Sequence, residues 1–179
     1  MALHDLVSTT DPYNPELLEQ LFEQCFYARF KTRLCGGASE PYYQPADSES
    51  EDHRIFYRED FFASALHEVA HWCIAGQERR QQPDFGYWYV GEGRSDSEQR
   101  AFEAAECKPQ AIELLFSRAA GFAFRPSLDQ HNSEECYAQR SARFVARVEA
   151  EVERYLSRGL PSRAAEFIAA LDQHFQGLP

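Results

Sequence analysis

Two histidines stand four residues apart in HEVAHW, which runs from His67 to Trp72. On a helix, residues at that spacing project from one face about one turn apart, so their imidazoles can occupy adjacent positions around one metal ion. Zinc and iron both accept nitrogen ligands, and the glutamate inside HExxH is the residue that serves a zinc peptidase as general base. The pattern is informative only where it sits on a helix. A metal site also needs a further protein ligand. Gln77 occupies the place of the third histidine in HExxHxxGxxH, and Met1 is the sole methionine, which excludes the three-histidine peptidases with their methionine turn.

The next candidates lie in FEAAECKPQ, Phe102 to Gln110. Glu103 and Glu106 are three residues apart and share a helix face, so one can bind a metal while the other orients a histidine or a water. The reading favours Glu103 as the ligand, with Glu106 as its competitor. Pro109 lacks the amide that would bond back to Ala105 and is expected to break or bend the helix just beyond the pair. Lys108, beside that break, is a candidate to neutralise a carboxylate or touch substrate. Cys107 is a soft potential ligand that could close the metal's open position, or an inert packed thiol.

Two histidines and one carboxylate have two chemical uses. Around zinc with one open position, Glu68 activates a bound water and the enzyme is a metallopeptidase of the gluzincin type. Around Fe(II), the same ligands leave a face open to dioxygen and substrate. Ligand types alone do not choose between them.

These residues need a scaffold, and the chain supplies mostly helices. Asn14 and Pro15 start an amphipathic helix from Glu16 to about Phe30, with Leu18, Leu21, Phe22, Cys25 and Phe26 on one face. Residues 36–53 read as one long acidic and aromatic loop, followed by a short strand at RIFYR, Arg54 to Arg58. Asp60 is the expected cap of the HExxH helix, Phe61 to about Ala75, whose buried stripe is Leu66, Ala70 and Cys73. FGYWYV, Phe85 to Val90, reads as a strand; Gly91 and Gly93 as a turn. Ser95 and Glu98 make a capping box for the helix that carries the glutamates. A long helix from Ser133 to about Ser157 and a last one capped by Ser162 complete the chain. The fold expected is α+β: one mostly helical domain spanning 1–179, with a few short strands and a zincin-like HExxH helix.

The chain of 179 residues carries 29 acidic side chains against 18 Lys and Arg, a formal charge of -11. That balance argues against nucleic-acid binding, which needs a positive footprint, and favours a basic partner. No run of apolar residues is long enough to span a membrane, and the first residues lack the pattern of a signal peptide. Five cysteines without a CxxC pair read as free thiols in a reducing cytoplasm.

HEVAHW, FGYWYV and FEAAECKPQAIE (Phe102 to Glu113) together, in that order, resemble the elongation factor P hydroxylase family, and the likeness extends over nearly the whole chain. The resemblance implies a non-haem iron monooxygenase-type enzyme that hydroxylates a lysine of elongation factor P after its extension with a β-lysyl group. It implies Fe(II) held by His67, His71 and Glu103, with Glu106 competing, dioxygen as cosubstrate, and Glu68 in the site without a peptidase role. A cationic lysine tail calls for aromatic and acidic walls. The candidates are Tyr42, Tyr43, Trp72, Tyr87 and Trp88, with Asp47, Glu49, Glu51 and Asp52.

Overall fold

The structure is a computed structural model and describes residues 12–86, 94–128 and 136–176. Asn14 and Pro15 start α1, Pro15–Phe30: the asparagine side chain accepts the Glu16 N–H at 3.0 Å, and the proline takes a position whose amide has no helical partner. Lys31, in the left-handed region, ends the helix and turns the chain into β1, Thr32–Ala38. Two further strands follow, β2 at Tyr42–Gln44 and β3 at His53–Arg58. β3 lies between the others, parallel to β1 and antiparallel to β2.

The stretch 36–53, expected to be one loop, therefore holds the end of β1 and all of β2. Tyr43 fixes it in place. Its ring is buried and stacks on Phe85 at 4.2 Å, its N–H donates to Asp84 Oδ1 at 3.0 Å, and its hydroxyl donates to the Arg80 carbonyl at 2.8 Å. The acidic residues that follow are partly committed as well. Asp47 accepts the N–H groups of Glu49 and Ser50, and Asp52 accepts the Arg33 guanidinium at 2.8 Å and the Tyr27 hydroxyl at 3.1 Å.

The HExxH segment forms α2, Phe62–Ile74, with Leu66, Ala70 and Cys73 buried as expected. Its start differs: Phe61 occupies the cap position without a side-chain bond, so Asp60 is not the cap. The Ser64 hydroxyl instead accepts the Arg58 N–H at 2.9 Å, tying the end of β3 to the first turn of α2. At the other end Arg163 donates to the carbonyls of Trp72, Cys73 and Ala75 at 2.9, 3.1 and 2.6 Å, and Arg80 donates to Ala75 at 2.7 Å. Cations at the negative end of a helix dipole satisfy its last carbonyls and hold the histidine-bearing element rigid.

Phe85 belongs to a tight turn, Pro83–Gly86, in which Asp84 and Phe85 both have positive φ, so the expected strand does not begin there. Residues 87–93, with Tyr87, Trp88 and the rest of that strand and turn, lie outside the described residues.

The Ser95–Glu98 capping box starts α3, Asp96–Ala120, and Gly121 closes it in the left-handed region. Pro109 does not break this helix. The Ala105 carbonyl loses its usual donor, yet α3 packs against neighbours along its length: α2, then α4 (Tyr137–Arg158) and α5 (Ser162–Phe175). That tertiary packing outweighs one missing hydrogen bond. The expected start of α4 at Ser133 lies outside the described residues, and α5 begins at Ser162 itself, with Pro161 rather than Ser162 at the cap.

The larger apolar core joins α1, the sheet, α2 and α5, and a smaller one fills the space between α3 and α4. The outcome is the α+β class expected, mostly helical with one three-stranded sheet among the described residues. All five cysteines are free thiols. No helix among the described residues is long and apolar enough to cross a membrane.

Candidate metal centre

The site forms where α2 lies against α3. Along α3, Gln99, Glu103, Glu106, Gln110, Glu113 and Ser117 recur at alternating spacings of four and three residues, and all are buried. A buried polar stripe must find partners, and the partners decide what each residue does.

Glu106 meets the two histidines. Its Oε2 is 3.4 Å from His67 Nε2, its Oε1 is 3.4 Å from His71 Nε2, and the two Nε2 atoms are 3.1 Å apart. These three residues are the one group of possible metal ligands that converges among the described residues. The spacing can be tested against an ion. Donors about 2.1 Å from a common ion lie about 3.0 Å apart at right angles and about 3.4 Å apart in a tetrahedron. The observed contacts of 3.1 and 3.4 Å fall in that interval, the two imidazoles meeting different oxygens of Glu106, so the two Nε2 atoms and this carboxylate converge closely enough to share a single first-row metal.

Glu103 is not part of it. Its carboxylate lies 3.4 Å from Arg140 Nε and 3.9 Å from Arg143 on α4, and it accepts the Gln99 amide at 3.3 Å. Three residues advance a helix by about 300°, which leaves Glu103 and Glu106 about 60° apart around the axis. That angle turns Glu103 toward α4 and Glu106 toward α2.

Two residues the motif reading did not single out complete the centre. Glu113 Oε2 lies 2.7 Å from His67 Nδ1, on the side of the ring away from Nε2. Gln110 is clamped on the Ser127 backbone, donating to its carbonyl at 2.7 Å and accepting its N–H at 3.0 Å, with the amide nitrogen 3.5 Å from Glu106.

The electrostatics suit a cation. Burial opposes a charge on His67, but the hydrogen-bonded Glu113, with Glu106 and Glu68, outweighs it and pushes the imidazole up to about 10. Burial likewise works against ionised Glu106, yet the hydrogen bond from His71 and the nearby imidazoles hold its carboxyl down to about 2. The carboxylates that favour a proton on His67 equally favour a metal cation, which competes with protons for these donors. Glu68, half-buried, has its carboxyl raised by burial, against the pull of His67 and His71. The His67 side chain is 22% exposed while that of Glu106 is 7%, so the centre opens toward solvent on the histidine side.

The other expected substrate contacts divide. Trp72 is wholly buried, its ring 5.0 Å from Phe22 and 4.9 Å from Phe26 with Arg163 over its face, so it is core rather than a substrate wall. Tyr43 is core for the reasons given above. Tyr42 is exposed on the edge strand β2. Lys108 is exposed, two residues past Glu106 and so turned about 200° away from it around α3. Cys107 packs with Phe144 and Val148 in the smaller core, with burial raising its thiol pKa, and is not a fourth ligand.

The sequence profile described as elongation factor P hydroxylase matches residues 21–178. The chain belongs to the elongation factor P hydroxylase family. A curated relative, the elongation factor P lysine hydroxylase of Haemophilus influenzae, is 44% identical over 151 residues, which cover 84% of this chain and 83% of that protein. Membership in the elongation factor P hydroxylase family makes the chain an enzyme that hydroxylates elongation factor P, and its relatives give the metallopeptidase alternative no support.

Proposed function

We propose that the chain hydroxylates a lysine side chain of elongation factor P that carries a β-lysyl extension, using Fe(II) held by His67, His71 and Glu106 and dioxygen as cosubstrate. The relative's name supplies the lysine. The observation that carries the iron reading is the convergence of His67 Nε2 and His71 Nε2, 3.1 Å apart, on the Glu106 carboxylate, each 3.4 Å from one of its two oxygens. Two histidines and a carboxylate on one face are the ligand set of non-haem iron oxygenases, and in a hydroxylase family that set favours iron over a hydrolytic zinc. Fe(II) bound there supplies activation of dioxygen.

The protein's own part is to hold and to orient. Arg163 and Arg80 fix the end of α2, Gln110 keeps Glu106 aligned, and Glu68 stands beside the ligands with its carboxyl raised by burial. A β-lysyl-lysine is multiply cationic, and the net charge of -11 draws it in. Tyr42 is the described aromatic of the expected rim that remains exposed for an ammonium group. A translation factor as the substrate supports a cytoplasmic location for the chain.

The test is direct. Elongation factor P bearing β-lysyl-lysine, incubated aerobically with the Fe(II)-loaded chain and a reductant, is expected to gain the mass of one oxygen atom. No gain, or the same gain with the E106Q chain, would refute the reading.

A further inference from the structure

We propose that Glu113 is a positioning residue for the metal centre: it holds the His67 ring proton on Nδ1, so that the Nε2 lone pair faces the ion. This deepens the iron reading and rests on it. The Glu113 Oε2 to His67 Nδ1 distance is 2.7 Å, at the short end of charge-assisted N–H···O bonds. A carboxylate only accepts, so the shared hydrogen belongs to the imidazole, and a hydrogen on Nδ1 leaves Nε2 as the lone-pair nitrogen of the neutral ring. Nε2 is the atom that faces His71 Nε2 at 3.1 Å and Glu106 Oε2 at 3.4 Å. Without Glu113 the ring could carry its proton on Nε2, or rotate, and in either case the convergence of donors is lost.

Placement supports the role. Glu113 follows Glu106 by seven residues, about two turns, so α3 offers both carboxylates to α2 from one face. Only Glu106 reaches Nε2. Glu113 stands on the opposite side of the imidazole, which makes it an orienting partner and not a ligand. It is 6% exposed, and burying a carboxylate is costly unless a specific bond such as the one to His67 offsets it. Outer partners of this kind typically change metal affinity by about 10–100-fold when removed.

The experiment uses the full chain with Zn(II) as a diamagnetic probe. It measures affinity, the ring-nitrogen and Nδ1–H signals of His67, and thermal unfolding, for the unaltered chain, E113Q and E113A. The unaltered chain is expected to show a metal-bound Nε2 and a protected, far-downfield Nδ1–H. In E113A that proton signal moves upfield or is lost to exchange, and affinity falls by about 10–100-fold. E113Q, whose amide oxygen still accepts, should fall between the two and serves if E113A does not fold. Affinity within about threefold of the unaltered chain, with the Nδ1–H signal unmoved in the folded variants, would overturn the inference while leaving the iron reading standing. Failure of the unaltered chain to bind Zn(II) or Co(II) would overturn both.

Discussion

Glu106 and Glu113 stand seven residues apart on one helix and approach the same imidazole from its two nitrogens: Glu106 Oε2 lies 3.4 Å from His67 Nε2, and Glu113 Oε2 lies 2.7 Å from Nδ1. Two carboxylates on one ring explain why the metal-free histidine keeps its proton far above its ordinary range. A metal ion must displace that proton to reach Nε2.

Metal uptake should therefore depend on pH in a defined direction. With His67 pushed up to about 10, the metal-free centre is protonated on this ring throughout neutral pH. Each unit of increasing pH removes proton competition, so apparent Zn(II) or Co(II) affinity should rise roughly tenfold per unit from about pH 6.5 to about pH 9. Chelator-competition titrations would measure it. An affinity that levels off just above pH 6.5 would mean that His67 titrates as an ordinary histidine.

The two glutamates favoured by the sequence should separate cleanly on substitution. E106Q is expected to lower metal affinity by more than about a hundredfold, the upper end of what outer-shell changes do, while leaving the fold intact. E103Q should do the reverse. It removes the buried carboxylate that lies 3.4 Å from Arg140 Nε, destabilising the chain by about 1–3 kcal/mol, with metal affinity nearly unchanged. Metal titration and denaturant unfolding of both variants decide it.

Why the sequence favoured Glu103 is instructive. The pair His67 and His71 was legible because a spacing of four on one helix is a local property. Choosing between Glu103 and Glu106 was not local: the choice depends on where Arg140 of α4 lies, which no pattern within FEAAECKPQ records. A signal for Glu113 did exist. Polar residues from Gln99 to Ser117 follow an alternating four-and-three seam, the spacing usually taken by apolar residues facing a neighbour. Reading Pro109 as a break cut that seam in two and hid Glu113 beyond it. The capping box and the α1 start were recovered because their chemistry is contained in a few adjacent residues. β2 was not, since its position depends on Tyr43 packing against Phe85, far along the chain.

Trp72, next to a metal ligand in sequence, should behave as core. W72F removes part of a ring packed against Phe22, Phe26 and the Arg163 guanidinium, and is expected to cost about 1–3 kcal/mol of stability. The KM for modified elongation factor P should stay unchanged under conditions where the variant is folded. A raised KM without a loss of stability would restore Trp72 as a substrate wall.

The account stands most directly on where iron binds. Crystals of the chain loaded anaerobically with Fe(II), measured at the iron absorption edge, are predicted to show an anomalous peak bonded to His67 Nε2, His71 Nε2 and Glu106, with Glu103 still paired to Arg140. A peak ligated by Glu103, or iron bound elsewhere with nothing between the two histidines, would contradict it.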